Sequence, residues 1–205
     1  MIKKIKRKIV RNILFIKISF FIQKIKSKKN SEKNYRFHKM EKILAAKTFF
    51  NINILIETGT YLGEAINFLK NNFSKIYSIE LSTLLANEAM DKFKKHNHVE
   101  VINGDSGLAL LNILKKETDK KLFWLDAHYS GGITAFSDNF KETPIVKELE
   151  SIFDNWVNGS IVLIDDARMF DGRNNYPDIS FLHDFVLERR SELRIFIDRD
   201  IIHIF

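Results

Sequence analysis

The sequence lacks cysteine and has few of the residues that break regular structure, with eight glycines and two prolines among 205 residues. The absence of cysteine excludes disulfides, thiolate metal sites and cysteine nucleophiles, and it is compatible with a reducing, cytoplasmic location. An apolar fraction of 45% and a charged fraction of 29% exclude wholesale disorder, a collagen-like repeat and a polytopic membrane protein. At this length we expect one domain with an appendage.

Acidic residues are missing from the first 29 positions, which hold eleven of the 33 lysines and arginines. The remaining 22 basic residues face all 26 acidic residues, so the formal charge is +11 in the tail and −4 in the rest of the chain. The overall charge of +7 therefore belongs to the tail. A mildly acidic body attracts phosphate backbones poorly, and we expect no nucleic-acid partner.

The basic tail also has regularly spaced apolar residues. At about 100° per residue, six of them share a helix face within roughly 80°: Ile2, Ile5, Ile9, Ile13, Ile16 and Phe20. The apolar run 13–22 is too short to span a bilayer, and no small-residue cleavage site follows it. Residues 1–25 could bind an anionic inner membrane leaflet, pack on the core or another subunit, or fray. We predict a basic amphipathic tail and linker over residues 1–30 and a folded domain over 31–205.

From about residue 35, apolar periodicity alternates between that of strands and that of helices. The predicted strands are 53–57, 75–81, 99–103, 121–126, 160–164, 193–198 and 201–205. The predicted helices are 37–49, 63–71, 82–96, 107–116, 143–155 and 178–190, and residues 26–34 are predicted to be a solvated linker. This alternation predicts an α/β fold, a Rossmann-like, doubly wound, mostly parallel sheet of about seven strands with a terminal antiparallel pair.

Five successive predicted strands end in acidic residues, at Glu57, Glu80, Asp105, Asp126 and the pair Asp165-Asp166. In a parallel sheet these ends meet at the edge where ligands bind, so we expect a polar site there. The turn after the first strand, ETGTYLG, lacks the GxGxxG spacing of a dinucleotide site, which argues against NAD. Glu80, at the end of the second strand, is placed to accept hydrogen bonds from two ribose hydroxyls.

The ordered segments IETGTYLG, IYSIEL, VINGDS, WLDAH and LIDDA resemble class I S-adenosylmethionine-dependent methyltransferases over about residues 53–167. Within that class the chain is similar to cation-dependent O-methyltransferases of the catechol, caffeoyl-coenzyme A and macrolide-sugar types. The resemblance implies that the first loop holds the methionine and ribose parts of the cofactor, that Glu80 takes the ribose hydroxyls and that Asp105 and Ser106 border the adenine. The first-loop residues concerned are Glu57, Gly59, Tyr61 and Gly63.

The same resemblance implies a Mg²⁺ site formed by Asp126, Asp165 and Asp166, since hard oxygen ligands suit this ion. The alternative is that Asp165 or Asp166 caps the following turn and binds no metal. Catechol-type enzymes carry a lysine where this chain has Tyr129, so His128, two residues after Asp126, becomes the expected general base. A structural hydrogen-bonding role for His128 is the alternative.

Two loops follow the fourth and fifth strands on the expected ligand side of the sheet. The first, 129–144, contains Gly131-Gly132 and is expected to close over substrate. In the second, 168–176, Arg168 and Arg173 could bind an anionic group or could be surface charges.

Two functions follow from these observations. The first is a Mg²⁺-assisted O-methyltransferase that acts on a hydroxyl of a sugar, glycan or glycolipid precursor, placed at the inner face of the membrane if the tail is an anchor. The second is a non-catalytic Rossmann-like binding module held at a membrane or partner by its tail. The oligomeric state stays open.

Overall fold

The structure is a computed structural model that describes residues 31–126, 143–173 and 175–205. Three of the sequence predictions lie outside the described residues: the amphipathic tail, the role of His128, and the closing of the loop that follows it. The chain divides into two units, Met1–Lys39 and Met40–Phe205.

Strands and helices alternate along the described chain, as the sequence predicts. The strands are β1 (Ile54–Thr58), β2 (Lys75–Glu80), β3 (Val99–Asn103), β4 (Lys121–Leu125), β5 (Ile161–Ile164), β6 (Ile195–Asp198) and β7 (Ile201–Ile204). The helices are α1 (Ser31–Phe50), α2 (Glu64–Leu69), α3 (Thr83–Phe93), α4 (Ser106–Lys116), α5 (Ile145–Asp154) and α6 (Ile179–Arg189). A 3₁₀ turn, Ala167–Met169, follows β5.

The strands form one sheet in the order β3-β2-β1-β4-β5-β7-β6. Strands β1 to β5 are parallel, and β7 pairs antiparallel with both β5 and β6. This confirms the predicted doubly wound sheet with a terminal antiparallel pair. The chain winds outward from β1 to β3 and then crosses to β4 on the other side of β1. The strand order therefore reverses between β1 and β4, which is where open α/β sheets bind ligands.

Apolar side chains alternate between the two faces of the sheet, because successive residues of a strand point in opposite directions. In β4, Phe123 and Leu125 belong to a buried cluster with residues of α4, α5 and α6. Leu122 and Trp124 belong to a second cluster with residues of α1, α2 and α3. Helices thus cover both faces of the sheet, and the carboxyl ends of the strands are left for polar residues.

Most predicted element boundaries are correct to within about two residues, and two helices begin with a side-chain cap. The hydroxyl of Ser82 accepts from the backbone of α3 at Leu85, and the carboxylate of Asp178 accepts from α6 at Phe181. The linker prediction is wrong at its end, since α1 begins at Ser31 and includes residues assigned to the linker. The segment SEKNYR contains no glycine or proline, and its charged residues are compatible with a helix.

Among the helices in the described part of the chain, none combines the length and apolar character needed to cross a bilayer.

Candidate functional site

Hydrogen bonding between strands continues just beyond the carboxyl ends of β1, β4 and β5. The backbone N–H of Asp126 donates to the carbonyl of Thr58 at 3.0 Å, and that of Asp165 donates to Leu125 at 3.0 Å. The residues after β4 and β5 are therefore fixed in register with the end of β1. This register brings the first loop and the acidic residues after β4 and β5 to one edge of the sheet.

The three aspartates predicted to bind a cation lie together at this edge. One carboxylate oxygen from each of Asp126, Asp165 and Asp166 lies within 4.8 Å of the others. Asp165 and Asp166 are buried, and Asp126 is partly exposed. Oxygen atoms that share one divalent cation lie up to about 4 to 5 Å apart, so the three carboxylates are close enough for a common ion.

The backbone of Asp166 is held in an uncommon conformation. Its φ of 54° and ψ of 50° lie in the left-handed region, which costs a non-glycine residue roughly 1 kcal/mol or more. Its N–H donates to Oδ1 of Asp165 at 2.7 Å, whereas its side chain makes no capping bond to the 3₁₀ turn. A carboxylate oxygen of Asp166 instead belongs to the cluster.

Arg168 ties this cluster to the turn between β6 and β7. Its Nη1 donates to Oδ1 of Asp166 at 2.9 Å and forms a second ion pair with Asp200. The backbone N–H of Arg168 also donates to Oδ1 of Asp200 at 3.0 Å. Arg168 is therefore engaged with two carboxylates. Arg173 is exposed and lies 3.8 Å from Asp171, in agreement with the surface-charge alternative.

Glu57 is buried at the end of β1 within a chain of hydroxyl groups. Its Oε2 accepts from Oγ of Ser78 at 2.5 Å, and that hydroxyl lies 2.6 Å from Oγ1 of Thr60. Burial raises the pKa of Glu57 to about 8; the Ser78 bond opposes the rise, and the negative charges of Asp126 and Glu80 add to it. Glu57 is thus mostly protonated at neutral pH, and a cation placed beside it would favour its ionised form.

Glu80 holds the first loop against the end of β2. One carboxylate oxygen accepts from the backbone N–H of Tyr61 at 2.8 Å, and the other accepts from Ser82 at 2.9 Å. Each oxygen has a further lone pair, so hydroxyl groups of a ligand could still bind. Tyr61 has a φ of 48° and Gly59 a φ of 84°, so the loop turns sharply between β1 and α2.

Gly63 is required by packing as well as by backbone conformation. Its φ is 67°, and a Cβ atom at this position would lie 2.6 Å from Cε2 of Phe93 on α3. The family resemblance assigns this glycine to the loop that holds the cofactor. In the structure its lack of a side chain already has a reason in the contact between the first loop and α3.

Asp105 and Ser106 begin α4 on the other side of the site. Asp105 is the N-cap residue of α4, yet its side chain makes no capping bond, and its Oδ1 is buried without a hydrogen-bond partner. The hydroxyl of Ser106 donates to Oε1 of Glu148 at 2.5 Å. A buried acceptor left unsatisfied costs free energy and is well placed to receive a hydrogen bond from a ligand.

Glu148 is a site residue that the sequence analysis missed. It lies on α5, is 1% exposed, and burial raises its pKa to about 7 against the opposing bond from Ser106. The signal was present in the sequence, because Ile145, Glu148, Leu149 and Ile152 follow the spacing of one helix face. An acid in the middle of an apolar helix face is rarely buried without a partner.

Comparisons with known proteins agree on the fold. No protein-family model and no curated protein matches the sequence. A solved structure of a candidate caffeoyl-CoA O-methyltransferase from Staphylococcus aureus superposes with a TM-score of 0.61 at 14% identity, over 91% of this chain and 96% of that chain. The O-methyltransferase TomG from Streptomyces achromogenes, involved in tomaymycin synthesis and solved with SAM, gives 0.59 at 16% identity, over 81% and 78%. An O-methyltransferase from Bacillus cereus, solved with SAH, gives 0.58 at 15% identity, over 82% and 79%.

This chain therefore has the Rossmann-like fold of class I methyltransferases, as the sequence predicted. At these identities the similarity defines the fold, and the activity has to be argued from the site.

Proposed function

We propose that this chain is an S-adenosylmethionine-dependent O-methyltransferase, assisted by Mg²⁺, that acts on a hydroxyl group of a sugar, glycan or glycolipid precursor. The observation that carries the proposal is the cluster of Asp126, Asp165 and Asp166, whose carboxylates lie within 4.8 Å of one another beside the first loop. Solved O-methyltransferases with SAM or SAH share the fold.

The residues along the edge suit the parts of the cofactor. The unpartnered Oδ1 of Asp105 could accept from the amino group of adenine, and the free lone pairs of Glu80 could accept from ribose hydroxyls. Glu57 suits the ammonium group of the methionine part, since that positive charge would itself favour the ionised form of the carboxyl group. When bound, the cofactor would supply a methyl group on a positively charged sulfur. The acceptor oxygen would bond to the methyl carbon as the carbon–sulfur bond breaks, which would release S-adenosylhomocysteine.

The aspartate cluster is suited to bind the acceptor hydroxyl through a metal ion. Asp126, Asp165 and Asp166 would hold Mg²⁺, which would act as a Lewis acid on the acceptor hydroxyl and orient it. The Arg168 guanidinium neutralises part of the charge of Asp166 and fixes its orientation. We assign His128 as the base that takes the acceptor proton, since it follows Asp126 by two residues.

The proposed acceptor and the proposed membrane binding of the tail are parts of one hypothesis. A membrane-bound glycan or glycolipid precursor would be reached most readily by an enzyme whose residues 1–25 lie on an anionic, cytoplasmic membrane surface. Flotation of the full-length protein with anionic liposomes is expected at low salt and should weaken as salt rises. Failure to float at low salt would contradict the anchor and leave the methyltransferase proposal in place.

The central test separates cofactor binding from turnover. Isothermal titration with S-adenosylmethionine should give binding with or without EDTA, because the cofactor residues are distinct from the aspartate cluster. Transfer of labelled methyl groups to glycan or glycolipid extracts should occur with Mg²⁺ and stop in excess EDTA. Absence of cofactor binding would refute the enzyme proposal and favour the non-catalytic module, whereas full transfer in EDTA would refute only the metal.

A further inference from the structure

The apolar face of α5 contains one acidic residue at a position where a hydrophobic side chain would pack well. Glu148 lies between Ile145, Leu149 and Ile152 on that face and is as buried as they are. A buried carboxyl group costs more than an apolar side chain of similar volume, even when it is hydrogen-bonded. Core packing alone therefore gives no reason for a glutamate at this position.

The contacts of Glu148 lead to the first turn of α4. Its Oε1 accepts from Oγ of Ser106 at 2.5 Å, and one turn later Ser151 on α5 donates to the carbonyl of Gly107 at 3.3 Å. The two helices are tightly packed at this point. A Cβ atom on Gly107 would lie 3.1 Å from Cβ of Lys147 and 3.1 Å from Oδ1 of Asp105.

The surroundings of Glu148 connect it with the rest of the site. The negative charges of Asp105 and Asp126 act on its carboxyl group from the ends of β3 and β4. The hydroxyl of Thr58, at the end of β1, is buried without a hydrogen-bond partner and lies close enough to affect the pKa of Glu148. Glu148 thus contacts a residue assigned to the adenine and is near enough to Asp126, one of the residues assigned to the metal, to be affected by its charge.

We propose that Glu148 is a positioning residue of the cofactor site, whose carboxyl group fixes the hydroxyl of Ser106 and thereby the turn, Asp105 to Gly107, that borders the adenine. The inference rests on the proposed function. It extends that function by assigning recognition of the adenine ring to a helix, α5, from which no cofactor residue was expected. Glu148 acts through Ser106 and need not touch the cofactor.

The test uses the full-length chain and S-adenosylhomocysteine as the probe, with affinity measured by titration. Glu148→Met removes the acceptor with little change in volume and should weaken binding about three- to tenfold, as expected for the loss of one hydrogen bond that orders the site. Glu148→Gln keeps a carbonyl oxygen for Ser106 and should restore most of the affinity. Glu150→Met, two residues away on the exposed side of α5, is the matched control and should bind like the wild type.

Two further measurements distinguish positioning from a general structural role. Ser106→Ala should weaken binding to a similar degree, and the double variant with Glu148→Met should be little worse than either single one. Thermal unfolding of Glu148→Met should occur close to the wild-type temperature, because removal of the buried carboxyl group offsets the cost of leaving the Ser106 hydroxyl without its acceptor. The preference for S-adenosylhomocysteine over its inosine analogue should fall, since the turn includes Asp105.

Wild-type affinity in Glu148→Met would overturn the assignment of Glu148 while the proposed function stands. The same conclusion would follow if the fold-losses of affinity caused by Glu148→Met and Ser106→Ala multiplied fully in the double variant. Lack of binding by the wild type itself would overturn the proposed function.

Discussion

The two edges of the sheet differ in how their charged side chains are paired. At the amino ends of the strands, Lys75 lies 3.3 Å from Glu100, and the buried Lys121 donates to the carbonyl of Asp119 at 2.6 Å. At the carboxyl ends, acidic residues lie beside acidic residues, as in the cluster of Asp126, Asp165 and Asp166, whose combined charge exceeds that of Arg168, the basic residue paired with Asp166. The first arrangement lowers the cost of charges near the core, whereas the second raises it.

The two edges also differ in how the protein shifts the pKa values of their buried charged residues. At the carboxyl edge, burial and neighbouring acids raise the pKa of Glu57 to about 8, and burial raises that of Glu148 to about 7. At the amino edge, burial lowers the pKa of Lys121, while the charges of Glu117 and Asp119 counteract the change. Strongly perturbed acids that repel one another cluster at functional sites more often than at structural ones. We therefore propose that the carboxyl edge carries the function and that the amino edge contributes to stability.

The largest expected effect tests the aspartate cluster. Asp165→Asn keeps an oxygen that can accept from the N–H of Asp166 but removes one of the negative charges that would compensate a dication. We expect methyl transfer to fall by about 10²-fold or more, as for loss of an electrostatic group of an active site, with S-adenosylhomocysteine affinity nearly unchanged. Asp184→Asn, on the exposed surface of α6, is the control for loss of a negative charge.

Raised Mg²⁺ concentration should recover part of the activity of Asp165→Asn. A variant with wild-type turnover would show that the cluster is a structural feature and would remove the main functional difference between the two edges.

The next largest effect concerns Glu80. Both carboxylate oxygens of Glu80 accept backbone N–H groups, and Glu80→Gln replaces one of these oxygens by an NH₂ group, which can only donate. The first loop therefore loses one anchor, and the ribose loses an acceptor. Loss of a charge-assisted hydrogen bond predicts an affinity for S-adenosylhomocysteine about ten- to a hundredfold weaker. Glu88→Gln, exposed on α3, should have no effect in the same titration. Equal affinities of the two variants would place Glu80 outside the site.

The features that local sequence determines were predictable. Runs such as NILIE and KLFWL predict buried strands because they are apolar, rich in strand-forming residues and followed by polar turns. Once the strands are parallel, their carboxyl ends must share an edge, so the acidic residues that follow them were expected to lie there. The grouping of Asp126, Asp165 and Asp166 as one metal site came from the family resemblance, since up to 40 residues separate them in the sequence.

The features that depend on register and helix packing were not predictable. The hydrogen bond from Ser78 to Glu57 requires β1 and β2 to pair in one particular register. Arg168 contacts Asp200, which lies 32 residues later in the chain, in the turn between β6 and β7. Glu148 meets Ser106 only when α5 packs on α4. The acids at the strand ends were therefore predictable from the sequence, and the partners that orient them were not.

A smaller effect should appear in the pH dependence of stability. Glu57 has a pKa of about 8 in the folded protein, above the value of about 4.5 of an exposed glutamate, so the folded state binds the proton more tightly. Its contribution to stability is fully present below pH 4.5 and is lost as the pH rises from 4.5 through 8. Glu57→Gln should flatten this decline, which for a single group is at most roughly 1.4 kcal/mol per pH unit.

Urea unfolding of both proteins at several values between pH 5 and pH 8.5 measures the difference. The variant should be the more stable protein at pH 8.5, with the advantage shrinking toward pH 5. Parallel curves would mean that Glu57 is ionised in the folded state, and the contrast in ionisation between the two edges would then rest on Glu148 alone.

The smallest effect is expected at the amino edge, and it tests whether that edge is only structural. The hydroxyl of Tyr77 donates to Oε1 of Glu117 at 2.5 Å, and its ring lies beneath Nζ of Lys75 at 4.8 Å. Tyr77→Phe removes the hydrogen bond and keeps the ring, so the free energy of unfolding should fall by about 1 kcal/mol. Glu117 directly follows α4, at the opposite end of this helix from Ser106. Affinity for S-adenosylhomocysteine should therefore stay within about twofold of the wild type, a smaller change than the loss of one hydrogen bond would cause. A larger change in affinity would mean that α4 transmits changes from one edge to the other, and the division between a stabilising edge and a functional edge would have to be abandoned.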